Sequence, residues 1–174
     1  NLKTVRVERL VREPSGQGYR IDTPSDVFAF HRVILATGTR PRPLKGPGGQ
    51  DSLALPGVFS GVRALMAACP EPQEVLVLGG GDAAVDQALT LAGAGYRVRV
   101  CLRCPDSLRA LPLLLREARQ HPGISWQMQG ELRDMERVGD GLEVSFALIG
   151  EGKVMHRVSA VLVAWGREPE RSLL

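Results

Sequence analysis

The first part of the chain alternates apolar and polar residues in short runs. Three of these runs, TVRVERL, GYRID and DVFAF, lie within residues 4–30 and are separated by turn-forming residues. They predict an antiparallel meander that leads into a buried strand at residues 33–36, which would place Thr37 and Gly38 at a sheet edge. Residues 40–56 are rich in proline and glycine, and we interpret them as a linker between two domains.

Beyond the linker, the spacing of the apolar residues alternates along the chain between a helical pattern and a strand pattern. Ser60 is a candidate cap for a short helix that ends near Cys69. The elements predicted next are a strand at 75–78, a helix from Ala83, a strand at 96–102, a helix at 112–121 and a strand at 124–128. Together they form a βαβαβ unit. Three more strand patterns follow, so the predicted fold class is α/β: a Rossmann-like parallel sheet with a three-stranded antiparallel β-meander.

The two parts of the chain end in the same way. HRVILATG at 31–38 and SAVLVAWG at 159–166 are both apolar runs that close on a small residue and a glycine. Each run follows a predicted meander and precedes a charged residue and a proline. This repetition indicates two related nucleotide-binding domains, of which the first is represented only by its last part.

A glycine-rich stretch, GGGDAAVD, directly follows the strand predicted at 75–78. Gly79, Gly81 and Ala84 occupy the G-x-G-x-x-G/A positions of a dinucleotide-binding turn, where glycines permit a tight turn and let phosphates approach the backbone. The helix that begins there directs its positive end at the anion. The residues predicted to bind the pyrophosphate are Gly79, Gly80, Gly81, Asp82, Ala83 and Ala84. The alternative is a glycine-rich turn that binds no ligand.

The residues after the second strand indicate which dinucleotide is bound. Enzymes that use NAD usually place an acidic residue about 20 positions past the glycines to hold the ribose 2′-hydroxyl. No acidic residue lies between Asp86 and Asp106, whereas Arg103 and Arg109 do follow the strand. Guanidinium groups suit a 2′-phosphate, so the pattern favours NADP(H) over NAD(H). The alternative is that both arginines are ordinary solvated side chains.

Composition narrows the possible partners. The chain has 174 residues, a net charge of +3 and no basic run, which argues against nucleic acid as a partner. No apolar run is long enough to span a bilayer and no signal peptide opens the sequence, so we expect no membrane partner and a cytoplasmic location. Cys101 and Cys104 form a C-x-x-C, for which a redox pair and half of a metal site are alternatives. We predict no metal site, with Cys101 acting as a small buried hydrophobe.

Five motifs carry a resemblance to a known family: ATG at 36–38, LPGVFSG at 55–61, GGGDAAVD at 79–86, LRCPDSLRA at 102–110 and VAWGREPE at 163–170. They resemble the pyridine nucleotide-disulfide oxidoreductase superfamily, and most nearly its thioredoxin-reductase-like branch. The resemblance implies that residues 1–45 are the C-terminal part of an FAD-type domain and residues 46–174 an NAD(P)-binding domain. It also implies hydride transfer from NADPH to FAD, with Gly166 lining the nicotinamide end and with Thr37 and Gly38 near the FAD of the complete protein.

Two departures from that branch bear on the function. The branch typically reads H-R-R-x-x-x-R after the second strand, whereas here Leu102 and Cys104 replace the first and third residues and Arg109 lies one position later. The branch also has an active-site C-x-x-C before the glycine strand, where this chain has only Cys69, and this argues against disulfide reduction by that route.

The electron acceptor is left unidentified by the sequence, and a homodimer is left open. Two other functions also remain open. One is a non-catalytic nucleotide-binding or scaffold module. The other is an electron-transfer subunit of the kind found in ferredoxin–NADP reductases or the small subunit of glutamate synthase.

Overall fold

A computed structural model of the chain describes residues 4–14, 16–43, 54–127, 130–148 and 152–170. These residues separate into two compact units. The first contains the described residues up to Arg40 together with those from Arg167 onward, and the second is Pro41–Gly166. The domain boundary predicted at residues 45 and 46 lies outside the described residues.

The elements follow one another along the chain in the order β-rich, mixed, β-rich. The strands are β1 Arg9–Arg12, β2 Tyr19–Asp22, β3 Val27–Phe30, β4 Thr39–Pro41, β5 Val58–Phe59, β6 Glu74–Leu78, β7 Arg97–Cys101, β8 Ile124–Gln127, β9 Gly130–Val138, β10 Gly141–Leu148, β11 Gly152–Val158, β12 Ala160–Val163 and β13 Arg167–Pro169. The helices are α1 Val62–Ala68, α2 Asp82–Gly93 and α3 Pro112–Gln120.

The first unit contains an antiparallel meander in the order β1-β2-β3. Arg9 pairs with Asp22 and Arg12 with Tyr19, so β1 lies opposite β2 along its whole length. The meander is therefore as predicted, although its first strand is Arg9–Arg12 and not residues 4–10, because β2 offers only four residues for pairing. A separate two-stranded ribbon pairs β4 with β13.

Two predictions, one in each unit, are wrong. Residues 33–36 form no strand, and Ile34 is 93% exposed, because no described strand pairs with them and a buried strand needs neighbours at its edges. The division between the two units falls between Arg40 and Pro41, at the start of the predicted linker 40–56, and both residues belong to β4. Helix α1 is capped by Gly61 and not by Ser60, and the side-chain oxygen of Gln87 accepts a hydrogen bond from the Val62 N–H at 3.1 Å.

The second unit is built on a five-stranded parallel sheet in the order β5-β12-β6-β7-β8. The predicted α/β class is confirmed, with the last apolar strand inserted between β5 and β6. Side chains of β6 alternate between the two faces: Val75 and Val77 pack with helix α2, while Leu76 and Leu78 pack with the meander β9–β11. The central strand is thus buried on both faces, and its carboxyl end is the point where the glycine turn begins.

The second meander packs on the parallel sheet. The three-stranded meander β11-β10-β9 covers the face of the sheet opposite α2, and Phe146 of β10 is buried between them. None of the helices in the described part of the chain is long and apolar enough to cross a membrane.

Candidate functional site

The turn after β6 is enclosed by protein backbone at its first glycine. Gly79 has φ +138°, and a Cβ atom there would lie 2.5 Å from the carbonyl oxygen of Ala164, closer than real Cβ atoms come. The Gly79 N–H donates a hydrogen bond to the carbonyl of Cys101 at 3.1 Å. Because the turn is wedged between the ends of β12 and β7, only glycine fits at this position.

The middle glycine is equally confined, although the motif leaves that position free. A Cβ atom at Gly80 would lie 2.5 Å from both the Ser107 carbonyl oxygen and a methyl carbon of Leu102. The Gly80 carbonyl also accepts a hydrogen bond from the Arg109 N–H at 2.8 Å. Gly80 is therefore a packing position for the segment between β7 and α3, which the spacing of the motif did not reveal.

The third glycine differs from the other two. Gly81 is the N-terminal cap residue of α2, with φ −86°, and a Cβ atom there would meet no protein atom within 4 Å. Its carbonyl accepts hydrogen bonds from the N–H groups of Ala84 and Val85 at 3.0 and 3.1 Å. The two preceding N–H groups, of Asp82 and Ala83, have no carbonyl within the helix to bond. Open space therefore lies beside the positive end of α2.

Side chains in the first turn of α2 have different surroundings. Ala84 is buried, and its methyl group lies 3.4 Å from the position of a Cβ at Gly79, so a small residue lets the helix approach the turn. Ala83 is exposed. One carboxylate oxygen of Asp82 accepts a hydrogen bond from the Leu111 N–H at 2.7 Å. Leu111 caps α3, so Asp82 links the two helix N-termini.

Both predicted phosphate-binding arginines lie in the segment between β7 and α3, and both are exposed. The Arg109 side chain donates a hydrogen bond from Nε to the Asp106 carbonyl at 3.2 Å. Within the described ranges, no hydrogen bond or ion pair involves the Arg103 guanidinium. The contacts of Gly80 with Ser107 and Arg109 bring this segment against the glycine turn, so the structure joins the two parts of the predicted site.

The remaining predicted residues fall in two places. Gly166, with φ +97°, lies in the second unit just after β12, and its carbonyl accepts a hydrogen bond from the Arg42 N–H at 3.2 Å. Thr37 and Gly38 belong to the first unit. There the Thr37 hydroxyl donates to the Glu170 carbonyl at 3.1 Å, and the Gly38 carbonyl accepts from the Glu170 N–H at 3.2 Å.

The cysteines of the C-x-x-C are not paired. Cys101 is buried at the end of β7 and Cys104 is half-buried, and both are free thiols. Burial raises the pKa of the Cys101 thiol to about 12, so it stays protonated and unreactive at neutral pH. Its packing in the core beneath the meander agrees with the role of a small hydrophobe.

One electrostatic cluster lies between the sheet and the meander and was not anticipated from the sequence. Arg99 forms an ion pair with Glu74 at 3.1 Å, and its guanidinium lies 3.4 Å from Nδ1 of His156. Burial, and then the neighbouring Arg99 charge, lower the pKa of His156 below its ordinary value. The cluster lies on the meander face, where Leu76 and Phe146 also pack.

Comparisons with known proteins agree with this geometry. A family model described as pyridine nucleotide-disulphide oxidoreductase matches residues 5–174. The dihydrolipoyl dehydrogenase of Thermus scotoductus is 31% identical over 97% of this chain and 37% of its own length. The thioredoxin reductase of Peptoclostridium acidaminophilum is 35% identical over 63% of this chain and 33% of its own length.

Among solved structures, the thioredoxin reductase of Lactococcus lactis superposes with a TM-score of 0.82 at 26% identity, over 97% of this chain and 55% of that one. The chain thus spans from a third to just over half of the length of these relatives. The fold, the glycine turn and the match along nearly the whole sequence establish that this chain belongs to the pyridine nucleotide-disulphide oxidoreductase family, whose members are flavin-dependent oxidoreductases.

Proposed function

We propose that this chain binds NADPH at the glycine turn and positions it for hydride transfer to FAD within a longer flavin-dependent oxidoreductase. The observation that carries the proposal is the contrast among the three glycines. Gly79 and Gly80 are closed off by protein atoms, whereas Gly81 faces open space at the N-terminus of α2. A helix N-terminus beside such space is suited to a diphosphate.

The fit of the pyrophosphate follows from the same atoms. A side chain at position 81 would fill the space that the phosphates need, while the main-chain N–H groups of Asp82 and Ala83 supply donors. The Asp82 carboxylate is drawn toward the Leu111 N–H, so its negative charge is partly satisfied within the protein. In this arrangement Gly79 and Ala84 shape the turn, and Gly81, Asp82 and Ala83 contact the ligand through the backbone.

Preference for NADPH over NADH rests on charge at the end of β7. Arg103 and Arg109 are both exposed there, and the segment that carries them is held against Gly80 by backbone contacts. Two guanidinium groups favour a 2′-phosphate through charge-assisted hydrogen bonds. NADPH and FAD supply the redox chemistry when bound, and the chain supplies binding and orientation.

The nicotinamide end of NADPH and the flavin would lie against residues outside the glycine turn. Gly166, at the end of β12, would line the nicotinamide end, and Thr37 and Gly38 would contact FAD. The residues before 46 would then form the last part of an FAD-binding domain. The sequence before β6 offers only Cys69 and no cysteine pair, which argues against disulfide reduction through a cysteine pair at that position.

The proposal is tested by calorimetric titration of the full chain with NADPH and with NADH. We expect NADPH to bind about tenfold more tightly or better, since one charge-assisted contact already supplies about that factor. Arg103→Ala combined with Arg109→Ala should remove the difference and leave NADH binding unchanged. Equal affinities in the unaltered chain would contradict the arginine assignment, and binding of neither nucleotide would favour a non-catalytic scaffold.

A further inference from the structure

We propose that Arg42 is a further dinucleotide-binding residue, which contacts the phosphate of the nicotinamide mononucleotide half. This inference rests on the proposed function above. It concerns a residue in the stretch that the sequence indicated to be a linker, and it adds a cation at the end of the site opposite to Arg103.

The position of Arg42 is fixed by the end of β12. Its backbone N–H donates a hydrogen bond to the Gly166 carbonyl at 3.2 Å. Its side-chain Nε lies 3.9 Å from the place where a Cβ of Gly166 would be, which is ordinary van der Waals distance. The guanidinium therefore lies beside Gly166, where the absence of a side chain leaves it uncovered.

The end of β12 is in turn held against the glycine turn. The Ala164 N–H donates to the Leu78 carbonyl at 2.8 Å, and the Ala164 carbonyl closes off Gly79. Gly166 is two residues further along, about 7 Å at the rise of an extended chain. That distance is within the span of a nucleotide that leaves the turn in this direction.

The order of strands in the parallel sheet indicates the direction in which a bound dinucleotide would run across the carboxyl ends of the strands. β6 lies between β12 and β7, and Arg103 follows β7 while Gly166 follows β12. A dinucleotide whose 2′-phosphate is held at the end of β7 and whose diphosphate lies at the end of β6 extends its nicotinamide half over the end of β12. Arg42 lies on that path.

The charge of Arg42 is available for a ligand. The side chain is exposed, and in the part of the chain that the structure describes no carboxylate forms an ion pair with it. An unpaired guanidinium beside the path of a diphosphate forms charge-assisted hydrogen bonds with it. Because NADPH and NADH share this half, Arg42 raises affinity for both and does not discriminate between them.

The test compares Arg42→Gln with the unaltered full chain in calorimetric titrations with two probes, NADPH and 2′,5′-ADP. The second probe contains the adenosine half and its phosphates but no nicotinamide half. We expect Arg42→Gln to weaken NADPH binding about tenfold and to leave 2′,5′-ADP binding within about twofold. Arg103→Gln should weaken both probes. Arg97→Gln is the matched control, because Arg97 is exposed at the amino end of β7 on the same sheet, and it should change neither.

The outcomes separate this inference from the proposed function. If the unaltered chain binds neither probe, the proposed function itself fails. If it binds both and Arg42→Gln leaves the NADPH affinity unchanged, the role of Arg42 is overturned while the proposed function stands. An equal loss of affinity for NADPH and for 2′,5′-ADP in Arg42→Gln would also overturn this role. An unchanged thermal unfolding midpoint for Arg42→Gln verifies that its fold is intact.

Discussion

Two segments with nearly the same order of apolar residues have opposite surroundings in this molecule. The run at 33–36 forms no strand and leaves Ile34 and Leu35 exposed, whereas β12 is buried at all four positions. The difference lies in their neighbours. β12 pairs with β5 on one side and β6 on the other, and helices and a meander cover its two faces. An apolar run becomes a core strand only where other parts of the chain provide edges and faces for it.

The largest expected effect comes from truncating one side chain in each segment. Leu162→Ala in β12 should lower the free energy of unfolding by about 2–5 kcal/mol, because it leaves a cavity at a fully buried position. Ile34→Ala should cost less than about 0.5 kcal/mol, because the side chain is already in solvent. Urea unfolding followed by far-UV circular dichroism measures both. Comparable losses from the two substitutions would show that residues 33–36 are buried in solution.

A second prediction concerns the way in which β12 is attached to the glycine turn. Gly79→Ala should destabilise the chain by about 2 kcal/mol or more, because its Cβ would overlap the Ala164 carbonyl. Gly81→Ala is the matched control and should cost no more than about 1 kcal/mol, since its Cβ meets no protein atom and only a cap preference is lost. Thermal unfolding gives the stabilities. Nucleotide titration should show a lower affinity for Gly81→Ala although its fold is kept, because the added methyl group occupies the space beside the N-terminus of α2.

The smallest expected effect concerns a histidine of the second unit, which lies on the face of the sheet that the meander covers. His156 packs between the second meander and the sheet, where burial and Arg99 lower its pKa. A histidine with a lower pKa in the folded state binds fewer protons there than in the unfolded chain, so stability is retained above pH 6.5 and falls as the pH drops below that value. Urea unfolding at a series of pH values, followed by tryptophan fluorescence, should show this fall for the second unit, which holds both tryptophans.

One substitution checks the assignment of this pH dependence. His156→Gln should flatten the fall between pH 6.5 and pH 5. An unaltered profile in His156→Gln would assign the effect to other groups.

Local patterns were enough to predict most elements of the second unit. The run of β6, the glycines and the spacing in α2 indicated a strand, a turn and a helix, because each signal lies within about 20 residues of sequence. The insertion of β12 between β5 and β6 was not predicted, since strand order depends on pairings between distant segments. The same limit explains the error at 33–36, where the apolar pattern carries no information about whether partner strands exist.

The backbone of the glycine turn was predictable to a similar extent. Gly79, Gly81 and Ala84 occupy motif positions whose geometry the structure reproduces, and Arg103 and Arg109 lie in the segment that contacts Gly80. The confinement of Gly80 and the placement of Arg42 beside Gly166 depend on contacts between residues far apart in the sequence. The hydrogen bond by which the Asp82 carboxylate links the starts of α2 and α3 was missed for the same reason.

The hydrogen bonds from the Arg109 N–H to Gly80 and from the Leu111 N–H to Asp82 hold the last residues of the segment between β7 and α3 against the glycine turn. Under the proposed function, selectivity for one coenzyme and anchorage of its diphosphate would share a single backbone frame, which carries Arg103 and Arg109 as exposed side chains. Under that proposal, exchanging one pyridine nucleotide for the other would require substitution of these two side chains and no change to the backbone frame.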